Sequence, residues 1–401
     1  MKYILFDNRH RAGLLPFTHT RPVADIRCGI YTMRERWEHC LQATTGTLTE
    51  AYMQPVFPAH AEEDNVYING GIFATTALAA AITQLEAGHA LVNGEQLIAA
   101  RIAGAPMAVA DFHAHAATLP AHHTDSEITE LQHTWDIFAL NDKAIRADYQ
   151  LATEGRKSRE IPEGVTVTGK DNLFIEEGAN IYPGCIINAA TGPVYIGRDV
   201  EILEGTLIRG PLAVCEHGVI KMGGKMYGAT TIGPGCKVGG EINNAVFFAN
   251  SNKAHDGYLG NAVIGEWCNL GADTNCSNLK NNYDGVQVWD EAQNKSVNTG
   301  LTFCGLMMGD HSKCAINTMF NTGTVVAVSC NIFGAGFPGK FIQSFSWGSS
   351  EKTIGYDFTK AMETANRMMG RRAKQLSEAE TAMYRYIFDN YSKAGKKAVS
   401  A

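Results

Sequence analysis

The sequence predicts three successive parts: an α/β unit, a long coil of short parallel β-strands, and a pair of closing helices. The coil is indicated by a period of six between about Ile161 and Phe345. Neither a helix nor an alternating strand places one aliphatic residue in six, whereas stacked coils that point one large side chain inward from each flat side do. The first residues of successive hexads are Ile196, Ile202, Ile208, Val214, Ile220, Met226, Ile232 and Val238.

The same phase extends on both sides of these hexads, and only insertions interrupt it. Upstream it is present at Ile175, Ile181 and Ile187, and glycines fill many of the corners, where tight turns often need positive φ. An insertion at about residues 281–303 has the pattern of a β-hairpin. The downstream positions in phase are Ile264, Leu270, Met308, Cys314, Phe320, Val326 and Ile332.

The segment before the coil alternates strands with helices. We expect strands at residues 3–6 and 65–69, and helices at about residues 29–41 and in the Ala-rich stretch that ends near Gly88. This alternation is typical of an α/β unit with a mostly parallel sheet. After the coil, an apolar stripe from Phe358 predicts one helix, and a capping box at residues 377–380 opens a second.

Composition excludes several classes of protein. The net charge is −7, charged residues make up 19%, and no block of Lys or Arg exceeds a pair, so no nucleic-acid partner is expected. No apolar run has the length of a signal peptide or a membrane span. The ten cysteines include no Cys-x-x-Cys, which indicates reduced, mainly structural thiols. We therefore expect a soluble, cytoplasmic protein without a membrane partner.

A histidine-rich segment, residues 110–133, raises the question of a metal site. No cysteine or carboxylate accompanies these histidines at a recurrent ligand spacing. We interpret the segment as a loop with solvated histidines, and we predict no metal site in it. The histidines are His113, His115, His122, His123 and His133.

The order of elements at the N-terminus resembles the opening of the sugar-1-phosphate nucleotidyltransferases: a strand, a loop, Leu-x-Pro-x-Thr, x-Arg-Pro and a helix. The resemblance implies that Arg21 grips phosphate, that Arg11 matches an arginine of the phosphate loop, and that a nucleoside triphosphate is a possible partner. Residues 7–10 replace the Gly-rich loop of that family, and residues 69–71 carry Asn where its magnesium-binding Asp stands. An amide brings no charge to Mg²⁺, so the resemblance implies Mg²⁺ only if this domain is active. The alternative is that the domain has lost its activity and serves packing or ligand binding.

Five short motifs follow one another in the coil. They are Gly-Gly-Glu ending at Glu241, Lys-x-His-x-x-Tyr-x-Gly from Lys253, Ile-Gly at Ile264, Asn-x-Gly-Ala-x-Thr from Asn269, and Asn-Leu at Asn278. Their order and spacing resemble the acetyltransferase half of the bifunctional N-acetylglucosamine-1-phosphate uridyltransferases and their shorter archaeal-type relatives. The resemblance implies a left-handed parallel β-helix, a homotrimer, acetyl-CoA as cosubstrate and an amino sugar phosphate as acceptor.

Acetyl transfer to an amine needs a base for the amine proton and a donor for the developing oxyanion. The resemblance assigns the base to His255, and imidazole titrates near neutral pH. Two carboxylates depart from the family pattern, Asp256 beside the base and Asp273 in place of glycine, and Asp256 either tunes the base or weakens it. The implied substrate contacts are Glu241, Lys253, Tyr258, Asn269 and Asn278, and the implied coenzyme A positions are Ala272, Gly309, Thr322 and Gly323.

These patterns divide the chain into four segments. We predict a divergent nucleotidyltransferase-like α/β domain at residues 1–134, a connecting helix and linker at 135–159, a β-helix acyltransferase domain at 160–348, and C-terminal helices with a tail at 349–401. The leading hypothesis is acetyl-CoA-dependent N-acetylation of an amino sugar 1-phosphate. The alternatives are nucleotidyl transfer by the first domain, and a ligand-binding trimer that has lost both reactions.

Overall fold

A mixed six-stranded sheet forms the N-terminal part of the protein, as seen in a computed structural model that describes residues 1–105 and 107–393. The strand order is β2-β1-β3-β5-β4-β6. β1 is parallel to β2 and β3, β4 is parallel to β6, and only β5 runs antiparallel to its neighbours β3 and β4, so the sheet is mostly parallel, as expected. The strands are β1 (Lys2–Phe6), β2 (Thr45–Leu48), β3 (Asp64–Asn69), β4 (Ala90–Asn93), β5 (Gln96–Ala103) and β6 (Ala121–His123).

Helix boundaries follow local capping more closely than the apolar pattern alone. The first helix begins at Met33 rather than near residue 29, because Thr32 and Glu35 form a capping box. The histidine-rich segment predicted as a loop contains a helix and an edge strand, which corrects that prediction. The helices are α1 (Met33–Leu41), α2 (Thr76–Thr83), α3 (Val109–Ala116), α4 (Asp136–Ala139), α5 (Asn141–Thr153), α6 (Phe358–Gly370) and α7 (Glu378–Tyr391), with 3₁₀ turns at Arg11–Leu14, Phe17–His19, Val23–Asp25 and Lys170–Asn172.

The middle of the chain is a parallel β-solenoid, which confirms the predicted coil. Each turn contributes a short strand to each of three flat sides, and strands on one side pair in parallel with those of the turns above and below. The hexad residues point inward and form one continuous buried cluster that includes Ile181, Ile202, Ile220 and Val238. The left hand of the coil stays a prediction from the family resemblance.

We name the three sides by what lies on them. The open face consists of Thr166–Thr168, Ile186–Asn188, Leu207–Arg209, Lys225–Tyr227, the first halves of Glu241–Phe247 and Tyr258–Ile264, Asn275–Cys276 and Met319–Phe320. The covered face consists of Leu173–Ile175, Val194–Ile196, Leu212–Val214, Thr230–Ile232, the second halves of the same two long strands, Met307–Met308, Val325–Val326 and Phe341–Ile342. The polar face consists of Asn180–Ile181, Glu201–Ile202, Val219–Ile220, Lys237–Val238, Asn252–Lys253, Asn269–Leu270, Lys313–Cys314, Asn331–Ile332 and Ser346–Gly348, with Thr353–Gly355 antiparallel at its end.

The N-terminal part packs on the covered face of the solenoid. Apolar side chains before α1, among them Phe17 and Ile26, share one buried cluster with Val246, Val263 and Met307 of the covered face. The side chain of Asn141, at the start of α5, donates to the Ala229 carbonyl oxygen at 2.6 Å. The position of the α/β unit is thereby fixed against the middle turns of the coil.

The insertion in the coil forms the expected hairpin, with antiparallel strands Gln287–Asp290 and Lys295–Asn298. α7 begins with the expected capping box of Ser377 and Glu380. α6 and α7 pack on Val328 and Phe345 of the last turns and also on Met53 of the first domain. The predicted tail from residue 396 lies outside the described residues. None of the described helices has the length and apolar character needed to cross a membrane.

Candidate active site

His255 lies in a groove along the corner where the polar face turns into the open face. The groove has a volume of about 490 Å³, and its lining includes Lys221, Met222, Ala272 and Asp273. His255 and Asp256 are both exposed, and the imidazole makes no hydrogen bond within residues 1–105 and 107–393. The base implied by the resemblance is thus accessible to a substrate entering from solvent.

The open face next to this corner carries a polar network. Glu241 and Tyr258 are paired residues of neighbouring strands. The Tyr227 hydroxyl donates to Glu241 Oε1 at 2.6 Å, and Asn278 Nδ2 donates to the Tyr258 hydroxyl oxygen at 3.0 Å. Burial raises the pKa of Tyr227, and the Glu241 carboxylate raises it further, so Tyr227 remains a donor at neutral pH. Three of the implied substrate residues, Glu241, Tyr258 and Asn278, therefore lie together.

Lys253 is not placed for the substrate role implied by the resemblance. It occupies an inward position of the coil, stacked on Val238, and only 1% of it is exposed. Its ammonium donates to the His255 carbonyl oxygen at 2.9 Å and to the Asp256 carbonyl oxygen at 3.1 Å. The amine therefore turns into the corner and holds the loop that carries His255, instead of reaching a sugar phosphate.

This buried ammonium predicts a pH-dependent stability. Burial lowers the pKa of Lys253 from 10.5 to about 8, although Asp256 favours the charged form. Because the unfolded chain binds the proton more tightly, stability is fully present above about pH 10.5 and falls as the pH drops towards about 8, by about 3 kcal/mol. In urea unfolding, Lys253→Met should remove this part of the pH dependence, whereas exposed Lys352→Met should leave it unchanged. An unchanged slope in Lys253→Met would contradict the burial of the amine.

The implied coenzyme A positions are separated in the structure. Ala272 lines the groove beside His255. Gly309 is buried, and an added Cβ there would meet Pro16 of the first domain at 3.3 Å. Thr322 is buried, and a Cβ on Gly323 would meet the Gln287 carbonyl oxygen of the hairpin at 2.3 Å. Gly309 and Gly323 are therefore covered by other parts of the chain, which the hexad pattern alone could not reveal.

Asn269 also lies away from the groove cluster. It belongs to the polar face, where its neighbours in register are Asn252 and Lys313. The side chains of Glu241 and Tyr258 belong to the open face. Asn269 is thus not brought together with the other implied substrate residues within one chain.

Both implied nucleotide-binding arginines are paired with carboxylates. Arg11 Nε lies 3.1 Å from Asp7 Oδ2, and the Arg11 side chain is mostly buried. Arg21 is buried between Asp310, with which it makes a short ion pair, and Glu266, whose Oε1 lies 2.8 Å from Arg21 Nη1. Arg21 therefore joins the first domain to the coil, and this arrangement differs from the phosphate-gripping role implied by the resemblance.

The ends of β1 and β3 carry an amide and carboxylate network in the place where the family resemblance implies a magnesium site. Glu130 Oε1 accepts from Asn8 Nδ2 at 2.7 Å and from Asn69 Nδ2 at 2.8 Å, and Asn69 Oδ1 accepts from Asn8 Nδ2 at 2.9 Å. Burial raises the pKa of Asp7, which also accepts from Thr49 and the Val23 N–H. These oxygens are committed to protein donors, so the residues do not fit a magnesium ion. No sequence motif pointed to Glu130.

Comparisons with known proteins show similarity to sugar nucleotidyl transferases and to bifunctional GlmU proteins. Residues 3–157 match the sugar nucleotidyl transferase family. The bifunctional protein GlmU of Rippkaea orientalis is 28% identical over 186 residues, which covers 41% of this chain and 40% of the relative. The GlmU protein of Methanococcus maripaludis is 28% identical over 206 residues, which covers 51% of this chain and 43% of the relative. The chain thus spans about two fifths of the length of the curated relatives it matches.

Among solved structures, the UDP-N-acetylglucosamine O-acyltransferase LpxA of Moraxella catarrhalis covers 57% of this chain and 91% of its own, with a TM-score of 0.24 and 12% identity. The Arabidopsis UDP-N-acetylglucosamine acyltransferase covers 60% of this chain and 94% of its own, with a TM-score of 0.21 and 13% identity. The family match of the first domain and the similarity to GlmU relatives together fit a GlmU-like protein.

Proposed function

We propose that this protein is a transferase of sugar-nucleotide metabolism that uses acetyl-CoA to N-acetylate an amino sugar 1-phosphate, with His255 as general base. The observation that carries the proposal is the groove in which His255 and Ala272, from successive turns, share one open corner. The names of the GlmU relatives and their similarity to the chain support the reaction class.

The groove supports this chemistry through the accessible imidazole. As the amine nitrogen attacks the thioester carbonyl, His255 takes a proton from nitrogen, an amide C–N bond forms, and the C–S bond breaks. The proton then passes to the departing thiolate, so that free coenzyme A and the N-acetyl sugar leave. Ala272 leaves space beside His255 for the narrow pantetheine arm, because its side chain is small.

The polar network of the open face supports a sugar as the acceptor. Glu241 and Tyr258 offer an acceptor and a hydroxyl next to the corner, and Asn278 orients the Tyr258 hydroxyl. Sugar hydroxyls and a neutral amine fit such a mixed set of donors and acceptors. By the family resemblance, the complete site forms between the subunits of a homotrimer, and Asn269 would reach it from a neighbouring chain.

Lys221 replaces Lys253 as the proposed phosphate contact, because it is the lysine whose side chain lines the groove. We expect Lys221→Ala to raise KM for the sugar phosphate by about tenfold with little change in kcat, as expected for binding shared by ground and transition states. Lys237→Ala, on the exposed polar face, is the matched control. An unchanged KM in Lys221→Ala would remove this residue from the site.

The test of the proposed function is release of free thiol from acetyl-CoA with a panel of amino sugar 1-phosphates. Turnover with one of these sugars, and none with the corresponding N-acetyl sugars, is the expected result. Failure of every sugar on folded, trimeric protein would overturn the acetyltransferase proposal and favour a ligand-binding role.

Nucleotidyl transfer by the first domain is the second candidate, favoured by the family match over residues 3–157. It predicts pyrophosphate release from a nucleoside triphosphate and a sugar 1-phosphate. The paired arginines and the network around Glu130 oppose it, because phosphates would have to displace existing partners. Absence of pyrophosphate with a broad panel of substrates would exclude it.

A further inference from the structure

Three potential metal ligands converge at the far edge of the first sheet, away from the groove. His122 lies in the edge strand β6, where it is in register with Leu91 of β4. His89 immediately precedes β4, and Glu86 lies in the turn before it. One candidate ligand atom from each of the three side chains lies within 4.8 Å of the others. The chain separation of His89 and His122 concealed this proximity in the sequence.

The backbone holds these positions firmly. The His89 N–H donates to the Glu86 carbonyl oxygen at 3.2 Å, and the His89 carbonyl oxygen accepts from the Arg101 N–H at 3.0 Å. The Ala90 N–H donates to the Pro120 carbonyl oxygen at 2.9 Å, which ties β4 to the start of β6. Because the Cα positions are fixed by strand pairing and a turn, only side-chain rotation is needed to close the three ligands around an ion.

The imidazole of His89 has a partner that suits a metal ligand. Its Nδ1 lies 3.2 Å from the Ala87 carbonyl oxygen and 3.9 Å from Glu86 Oε2. The tautomer protonated on Nδ1 donates to Ala87 and leaves Nε2 for the metal, towards which the Glu86 side chain must rotate. Such outer contacts commonly orient the histidines that bind metals. The two imidazole rings lie 4.9 Å apart between centroids.

We propose that Glu86, His89 and His122 bind a divalent transition-metal ion, with zinc as the best fit. Two imidazoles and one carboxylate are ligands that zinc prefers, and three protein ligands leave a further position for water. The cysteine thiols of the chain compete little for zinc, because nine of the ten are buried. This proposal does not depend on the acetyltransferase reaction.

The test is zinc binding by tag-free, full-length protein, measured by competition with a chromophoric chelator. Loss of an outer-shell partner of a metal ligand lowers metal affinity by roughly 10- to 100-fold. Because His122 is itself a proposed ligand, we expect His122→Ala to weaken zinc binding by at least this factor. His123→Ala is the matched control, since His123 is also exposed but points to the opposite side of the same strand. Glu86→Gln should weaken binding too, whereas Glu95→Gln, in the exposed turn between β4 and β5, should not.

Thermal unfolding without zinc shows whether a variant loses zinc binding or stability. Without zinc, all four variants should have the Tm of the wild-type protein. Added zinc should then raise Tm of the wild type, His123→Ala and Glu95→Gln, and not of the other two. Equal zinc affinity of the wild type and His122→Ala would overturn the proposal, as would equal losses in His122→Ala and His123→Ala.

Discussion

Replacing His255 with alanine should lower the rate of acetyl transfer by about 10²- to 10⁴-fold, the usual contribution of a positioned general base. The imidazole is exposed in the groove and holds no other residue in place. Its removal should therefore leave folding unchanged and act on kcat. Steady-state thiol release with the best sugar of the panel measures this loss.

A second exposed histidine of the coil provides the control for this experiment. His217 lies at a different corner, with about two thirds of its side chain exposed, and His217→Ala should retain the full rate.

Asp256→Asn tests the carboxylate next to His255, and a shifted pH profile of the rate would show that Asp256 tunes the base. Equal rates for His255→Ala and the wild type would remove His255 from the reaction while leaving the groove to be explained.

Replacing Asp310 with alanine should destabilise the protein by about 3–5 kcal/mol, because it leaves the Arg21 guanidinium buried without its main partner. Asp310 also accepts from the Thr20 hydroxyl at 2.8 Å and from the Glu266 N–H at 2.8 Å, so several donors lose their acceptor together. Glu266 stays beside Arg21 in this variant, but its side chain is 31% exposed, so it replaces the buried Asp310 only in part. The shift of the urea midpoint at constant slope measures the loss.

An exposed ion pair of α6 is the matched comparison. Glu363→Ala removes the partner of Arg367 at the surface and should cost no more than about 1 kcal/mol. The double variant Arg21→Met with Asp310→Leu should recover much of the loss, since apolar replacements of a buried pair often restore stability. A loss below about 1 kcal/mol in Asp310→Ala would show that the pair does not join the domains.

The sequence revealed those features that depend on local repetition. One inward side chain in six, as in Ile202, Ile220 and Val238, is decided within each turn, so the coil could be predicted without any knowledge of distant contacts. The loop with His255 could be found because it interrupts this repeat. The position of Lys253 differs from its implied role, because a lysine in a loop motif is expected to face solvent, whereas register places it at an aliphatic position of the coil.

Other features depend on which elements meet in space. The first domain covers Gly309, and the hairpin covers Gly323, yet neither contact leaves a local pattern in the sequence. Glu130 reaches Asn69, and His122 reaches His89, only because of the strand order of the first sheet. Periodicity does not show which short strands pair with each other. The sequence therefore does not predict the cluster around Glu130 or the cluster around His122.

The covered face makes the stability of the solenoid depend on the first domain. The outward side chains of Val246, Val263, Met307 and Val325 form an apolar stripe along the solenoid, and the first domain, the connecting helices and the hairpin together cover it. A solenoid separated from residues 1–134 would expose the part of this stripe that Phe17, Ile26 and their neighbours cover, and contiguous apolar surface of that kind drives self-association. The two halves should therefore melt in a single transition and resist being studied apart. Loss of enzymatic activity in the first domain would not release it from selection, because it would still serve as the cover for its neighbour.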